Sequence, residues 1–135
     1  HINEGNSYTS NIDPETFPDG LDVEVLNFSE LENAWKNATI NSDLEHVTPY
    51  IRKNPNVIKG SYTSKINYSK YRWTVDEPKD FDFVTEIYSI LGLNGRYFCT
   101  QDIYNLLNEQ PDLQKINTNI LRNEGYFKSL TEDDL

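Results

Sequence analysis

The segment RWTVDEPKDFDFV, residues 72–84, carries the acidic side chains best placed to do chemistry. Residues that favour strands lead into Asp76, Glu77 and Pro78, and apolar residues at helical spacing follow. Proline at the first helical position makes Glu77 the extended cap residue and places Asp80 at the third helical position. Asp76 is then not needed as the cap. It can hold Mg²⁺ together with substrate phosphates, or it can hydrogen-bond the backbone of the turn.

A second acidic pair lies in LDVEVLNF, residues 21–28. Apolar and acidic residues alternate here, which predicts a half-buried strand with Asp22 and Glu24 together on the face opposite the apolar side chains. Two carboxylates placed in this way can take part in binding a metal or sugar hydroxyls. An exposed strand face explains them equally well.

His46 is the third candidate, because it lies four residues before Tyr50 and shares a helix face with it. Pro49 should kink or break that helix. A histidine beside a kink can contact a substrate or act as a base. The alternative is a structural histidine, since no partner for it is visible in the sequence.

Several kinds of site are missing from the sequence. It has no phosphate-binding glycine loop of the GxGxxG or GxxxxGK[ST] type, no GxSxG turn, and no Cys/His cluster of metal spacing. A catalytic nucleophile is therefore not predicted, and Mg²⁺ is the cofactor to test.

The charge distribution restricts the partners. The net charge of −10 over 135 residues argues against nucleic acid, whose phosphates attract basic surfaces. Residues 46–75 nevertheless contain six basic residues and no acid. Such a segment suits a small anionic ligand such as a nucleotide or a sugar acid; the alternative is a set of solvated strand faces.

The single cysteine, Cys99, excludes an internal disulfide and fits a reducing compartment, which predicts a cytoplasmic protein. Cys99 itself is expected to be a small buried hydrophobic residue. The apolar runs are too short to cross a bilayer, so no membrane association is expected.

The elements that must position these residues form the order strand, strand, helix, helix, strand, strand, helix, helix, helix. The third and fourth strands are predicted at VIKGSYTSKI and YRWTV, joined by a polar turn. This order predicts an α/β fold with a mixed sheet flanked by helices. The strands are too few for a complete doubly wound domain, which suggests part of a domain. Capping boxes are predicted at Ser29–Glu32 and Ser42–Glu45, each starting a helix with an apolar stripe that includes Trp35 in the first and Leu44 in the second. A helix with Phe81 and Leu91 should end at Gly92, and a last helix should follow Pro111. Residues 131–135 are expected to be a disordered acidic tail.

Four segments in order, FPDGLDVEV, EHVTPYIRKNP, RWTVDEPKDFDFV and RNEGYFKSL, resemble the cytidylyltransferases of the spore-coat polysaccharide type. These are relatives of the enzymes that make CMP-activated sialic acid and KDO. The resemblance covers nearly the whole chain, taken as residues 1–130, but only the carboxyl-terminal part of the family's nucleotide-diphosphosugar transferase domain. The family's CTP-binding loop and first metal-binding aspartate have no counterpart here.

The resemblance implies a role for each candidate residue. Asp76 matches the second Mg²⁺-binding aspartate of the family, whose members read VDxPEDL where this chain has Lys79 in place of Glu. Asp22 and Glu24 fall where the family's cleft faces the acceptor sugar. The weaker substrate-binding candidates are His46, Thr48 and Arg72.

The implied reaction is attack of a sugar oxygen on the α-phosphorus of CTP, in polysaccharide biosynthesis. The chain alone is expected to be inactive, and related enzymes suggest a homodimer. Two alternatives stay open: a glycosyltransferase that uses Asp22-Val23-Glu24 as a metal motif, and a non-enzymatic interaction module that pairs through a sheet edge.

Overall fold

The computed structural model describes residues 1–133, and Asp134 and Leu135 lie outside the described residues. A chain whose length is typical of one domain divides into two compact units. The first unit contains residues 1–17, residues 22–67 and the residues from 123 onward. The second unit contains residues 18–21 and 68–122.

The first unit contains a mixed sheet of three short strands, β1 (Tyr8–Ser10), β2 (Glu24–Leu26) and β3 (Lys59–Ser61). The strand order is β2-β1-β3, with β2 antiparallel and β3 parallel to the central strand. The predicted α/β class with a mixed sheet flanked by helices is therefore confirmed.

The helices are, in chain order, α1 (Phe28–Asn37), α2 (Asn41–His46), α3 (Pro49–Lys53), α4 (Pro78–Leu91), α5 (Thr100–Glu109) and α6 (Glu124–Asp133). Short 3₁₀ segments follow α4 and α5, at Leu93–Gly95 and Pro111–Ile116. In the first unit, Tyr8, Ala34, Ile51 and Val57 form the buried core. Pro49 starts α3 after a break at Val47, as its position predicts.

The second unit is built around α4, whose start and end agree with the sequence prediction. Pro78 is its first residue, Glu77 is the cap in a capping box with Asp80, and Gly92 follows its last residue. The apolar face of α4 packs into a core completed by α5 and the preceding segment; the core residues are Tyr71, Phe83, Ile87, Tyr104, Leu106 and Leu107.

The predicted orientation of strand β2 is wrong. Val23 and Val25 are 58% and 46% exposed, whereas Glu24 is half-buried and faces Tyr8 of the neighbouring strand. The hydroxyls of buried Tyr8 and Thr48 both donate to the Glu24 carboxylate, and these hydrogen bonds offset the cost of burying part of that charge.

Both predicted capping boxes in the first unit are also wrong. Asn27 and Ile40 are the cap residues of α1 and α2, and neither makes a side-chain capping bond. The apolar stripes that these boxes were meant to start are partly exposed: Trp35 is 76% exposed and Leu44 is 56% exposed. Only Ala34 of α1 is buried.

From residue 57 onward, the chain differs from its prediction at four places. The expected strand pair over VIKGSYTSKI and YRWTV is absent from the described residues; β3 pairs with β1, and Arg72 forms an isolated bridge with Asp19. Cys99 is exposed and caps α5. The segment after Pro111 is a 3₁₀ turn. Helix α6 continues to Asp133, so residues 131–133 of the predicted tail are helical.

Within the described residues, no helix combines the length and apolar character needed to cross a membrane.

Candidate functional site

The turn that carries Asp76 is supported by the PDG turn, residues 18–20, which belongs to the second unit together with it. The amide of Asp19 donates to the carbonyl of Tyr71 over 2.9 Å, and the amide of Trp73 donates to the carbonyl of Asp19 over 2.7 Å. Gly20 has a φ of +96°, and a Cβ at this position would lie 2.5 Å from the amide nitrogen of Thr74. The loop therefore requires glycine both for its backbone conformation and for its close approach.

The Arg72 side chain is the centre of an ion cluster. Its Nε and Nη2 donate to the two carboxylate oxygens of Asp80, each over 2.9 Å, in a bidentate pair. Its Nη1 donates to Asp19 over 2.9 Å, and Nη2 also donates to Oδ2 of Asp76 over 3.3 Å. The side chain is only 9% exposed. Arg72, predicted as a substrate contact, thus has its guanidinium bound to three carboxylates of its own unit.

Asp80 is fully buried and accepts further hydrogen bonds besides those from Arg72. Asn117 donates to it over 2.9 Å, and the backbone amides of Asp76 and Glu77 donate to its Oδ2 over 3.2 and 3.0 Å. Burial by itself raises the pKa of a carboxyl group, but these donors outweigh it and lower the pKa of Asp80 to about 2.

This lowered pKa gives a pH prediction. The pKa of Asp80 is about 2 in the folded protein, compared with an ordinary value of 3.8 that applies to the unfolded chain. Its stabilising contribution, about 2 kcal/mol, is therefore fully present above pH 4 and is lost as the pH falls toward 2. Urea unfolding at pH 5 and pH 2.5 should show a larger loss of unfolding free energy for the unaltered protein than for Asp80→Asn. Equal losses would contradict the prediction.

Asp76 lies at the surface of this cluster. Its side chain is 67% exposed. Its Oδ2 accepts from Arg72 and, over 3.2 Å, from the hydroxyl of Thr74. An exposed carboxylate of this kind fits a Mg²⁺ ion that takes one or two protein carboxylates and completes its shell with phosphates and water. Among the described residues, no group of three or more His, Cys, Asp or Glu side chains could hold a metal by itself.

Glu24 and Thr48, two predicted substrate contacts, come together in the first unit. The Glu24 carboxylate accepts a hydrogen bond from the Thr48 hydroxyl over 3.0 Å and another from the Tyr8 hydroxyl. Burial, and then the hydrogen bond to Glu24, raise the pKa of Tyr8, so its hydroxyl stays protonated and continues to donate.

The other two candidates of the first unit have different surroundings. His46 Nε2 lies 3.0 Å from the hydroxyl of Ser129, which itself donates to the carboxylate of Glu45. The ring of His46 contacts the ring of Tyr126 edge to face. Asp22 is exposed. The structure therefore groups Glu24 with Thr48 and Arg72 with Asp76.

The sequence prediction missed several members of these groups. Asn117 and Tyr8 come from segments that carry no local signal of chemistry, and Asp19 was not singled out within FPDGLDVEV. Asp80 was predicted as the third helical residue, but its pairing with Arg72 was not. The PDG turn is the feature that could have pointed to Asp19, because a glycine after a turn aspartate is typical of a close backbone approach.

An apolar groove of about 440 Å³ also lies in the first unit, along α1 and α2. Phe28, Trp35, Leu44 and Val47 are among its lining residues. None of the six predicted site residues lines this groove, so we do not assign it to the candidate site.

Known proteins resemble this chain in structure and in sequence. No family model matches the sequence. In structure, the chain is similar to a cytidylyltransferase from Leptospira borgpetersenii, with a TM-score of 0.74 and 24% identity over 84% of this chain and 48% of that protein. The chain has a cytidylyltransferase-like fold. This finding confirms the fold implied by the resemblance of the four sequence segments.

A sequence relative of this cytidylyltransferase-like chain is an uncharacterised protein of Methanocaldococcus jannaschii. It is 37% identical over 113 residues, which cover 79% of this chain and 44% of the relative. The chain thus spans about half the length of this relative and of the structurally similar cytidylyltransferase.

Proposed function

We propose that this chain is the carboxyl-terminal part of a cytidylyltransferase, which transfers CMP from CTP to a sugar and releases pyrophosphate. Surface or spore-coat polysaccharide biosynthesis is the proposed pathway. The observation that carries the proposal is the exposed Asp76 carboxylate, held by Arg72 and Thr74 just before the amino end of α4. The cytidylyltransferase-like fold and the resemblance of RWTVDEPKDFDFV to the family's metal-binding segment support it.

In the proposed reaction, this chain supplies one metal ligand and part of the acceptor site. Mg²⁺, when bound, neutralises charge on the triphosphate and orients it for in-line attack. Asp76 would hold the ion through its carboxylate. Positioning, rather than a nucleophilic side chain, would supply most of the rate enhancement. The CTP-binding loop and a second carboxylate would come from residues outside this chain, so the chain alone is inactive.

The acceptor sugar is proposed to contact the first unit. Glu24 and Thr48 form one hydrogen-bonded group, and carboxylate and hydroxyl groups are natural partners of sugar hydroxyls. Asp22 and His46 remain proposed contacts on the same unit. For Arg72 we propose an indirect role, because its donors are already bound to Asp19, Asp76 and Asp80.

The metal role of Asp76 can be tested on this chain alone. Mn²⁺ replaces Mg²⁺ and broadens the NMR signals of nearby nuclei even when it binds weakly. We expect titration with Mn²⁺ to broaden the amide signals around Asp76, and Asp76→Asn to remove that effect by weakening binding about 10–100-fold. The folded spectrum should be unchanged, because an exposed ion pair contributes little stability.

Asp82→Asn is the matched control for this experiment. Asp82 is an exposed acid on α4 without a place in the cluster, so its substitution changes the net charge equally. The metal role would be contradicted if both substitutions weakened the broadening equally. It would also be contradicted if Asp76→Asn left the broadening unchanged.

The alternatives gain less support from the structure. A glycosyltransferase metal motif at Asp22-Val23-Glu24 would need the Glu24 carboxylate, which accepts hydrogen bonds from Tyr8 and Thr48. The homodimer and the interaction module stay predictions, and a mass measurement by light scattering distinguishes a monomer from either.

A further inference from the structure

The backbone on either side of Asp76 is fixed by one buried carboxylate. Oδ2 of Asp80 accepts hydrogen bonds from the amides of both Asp76 and Glu77. Asp80 is itself held by Arg72 and Asn117 and has no exposed surface. The turn thus cannot rotate away from the start of α4 without breaking bonds to a buried charge, which is costly.

The side chain of Asp76 is fixed by contacts other than those that fix its backbone, and these contacts are made to one carboxylate oxygen, Oδ2. The hydroxyl of Thr74 and Nη2 of Arg72 both donate to Oδ2. Two donors on one oxygen select one orientation of an otherwise mobile, exposed carboxylate. Because neither contact is made to Oδ1, that orientation leaves the second oxygen for a ligand.

We propose that Thr74, Arg72 and Asp80 are positioning residues that hold the Asp76 carboxylate in its metal-binding orientation. This inference rests on the proposed function, since it takes Asp76 to be the metal ligand. Partners that orient a metal-binding side chain typically change metal affinity about 10–100-fold when they are removed. Thr74 is the most informative of the three, because it is neutral and lies outside the buried Arg72–Asp80 pair.

A role of Arg72 through its charge alone and a role in positioning Asp76 predict different results. If Arg72 acted only through its charge, it would repel a bound cation, and an Arg72→Lys exchange that preserves the charge would leave the affinity unchanged. If Arg72 orients Asp76, lysine fails, because it cannot make the bidentate pair with Asp80 and reach Asp76 at once. Thr74→Val removes only a hydroxyl and keeps the shape of the side chain.

The test is a titration of the 135-residue chain with Mn²⁺, in which binding is measured by the broadening of the Asp76 and Glu77 amide signals. We expect Thr74→Val and Arg72→Lys each to weaken the apparent affinity about tenfold, while Thr74→Ser, which keeps the hydroxyl, stays within about twofold of the unaltered chain. Combined with Asp76→Asn, Thr74→Val should have no further effect, because it acts through Asp76. If Arg72→Lys does not fold, the threonine series decides alone.

Each of the other outcomes contradicts either the positioning role or the metal role. Unchanged affinity in Thr74→Val, with loss in Asp76→Asn, would contradict the positioning role and leave the proposed function standing. An equal effect of Thr74→Val with and without Asp76 would show that Thr74 does not act through that carboxylate. If broadening never depends on Asp76, the metal role fails, and the positioning role fails with it.

Discussion

Replacing Asp80 with alanine is expected to lower the free energy of unfolding by about 3–5 kcal/mol. The substitution removes a fully buried carboxylate and leaves the guanidinium of Arg72, which is 9% exposed, without its bidentate partner. It also deprives Asn117 and the amides of Asp76 and Glu77 of their acceptor. Unsatisfied buried donors of this kind cost free energy in addition to the lost ion pair.

Urea unfolding monitored by circular dichroism measures this effect. Asp82→Ala is the control, since it removes an exposed acid from the same helix and should change the unfolding free energy by less than about 0.5 kcal/mol. Because domains are typically stable by only about 5–15 kcal/mol, this loss is a large part of the total stability and should lower the urea midpoint clearly. A loss no larger than that of the control would show that the cluster does not stabilise the unit.

Gly20→Ala is expected to destabilise the protein by about 3 kcal/mol, the sum of backbone strain and steric overlap. Gly20 has a φ of +96°, and a Cβ there would lie 2.5 Å from the nitrogen of Thr74 and 2.8 Å from the carbonyl carbon of Trp73. Both contacts are with backbone, which cannot move aside as a flexible side chain would. The loop must therefore shift, and the bridge between Asp19 and Arg72 is lost with it.

Gly95→Ala separates the two contributions. Gly95 belongs to the same unit and also has a positive φ, +71°, but nothing lies within 4 Å of a Cβ built on it. Alanine at position 95 should cost only the conformational strain, about 1 kcal/mol. Thermal or urea unfolding of the two variants gives the difference. Equal destabilisation would mean that the close approach of Gly20 to Thr74 contributes nothing.

The start of α4 shows which features a sequence can predict. Pro78 at the first helical position, the Glu77–Asp80 capping box and the terminal Gly92 all depend on neighbours within a few residues. Such local interactions are encoded in the sequence itself. Asp76 was consequently placed correctly, just outside the helix and not needed as its cap.

Strand β2 and helix α1 show where a periodic pattern fails. The alternation in LDVEVLNF predicts buried valines, but the hydroxyls of Tyr8 and Thr48 draw Glu24 toward the interior instead. Trp35 occupies a helical position that predicts burial and is nevertheless 76% exposed. Both outcomes depend on partners far away in the sequence, which periodicity does not register.

The candidate site was predictable in part for the same reason. The sequence singled out Asp76 and Arg72, which lie in one continuous segment and are hydrogen-bonded in the structure. It did not pair Arg72 with Asp19, which is 53 residues away, or Asp80 with Asn117, which is 37 residues away. A predicted substrate contact therefore turned out to lie inside an ion cluster that supports the predicted metal ligand.

The proposed function requires a longer protein that releases pyrophosphate in the presence of CTP, and this release can be measured. Three proteins are compared: that longer protein, its Asp76→Asn variant, and its Asp82→Asn variant as the control. We expect turnover that needs Mg²⁺ and a sugar acceptor, a decrease of about 100-fold or more in Asp76→Asn, little change in Asp82→Asn, and no turnover by the 135-residue chain alone. Full activity of the Asp76→Asn variant, or turnover by the isolated chain, would contradict the proposed function.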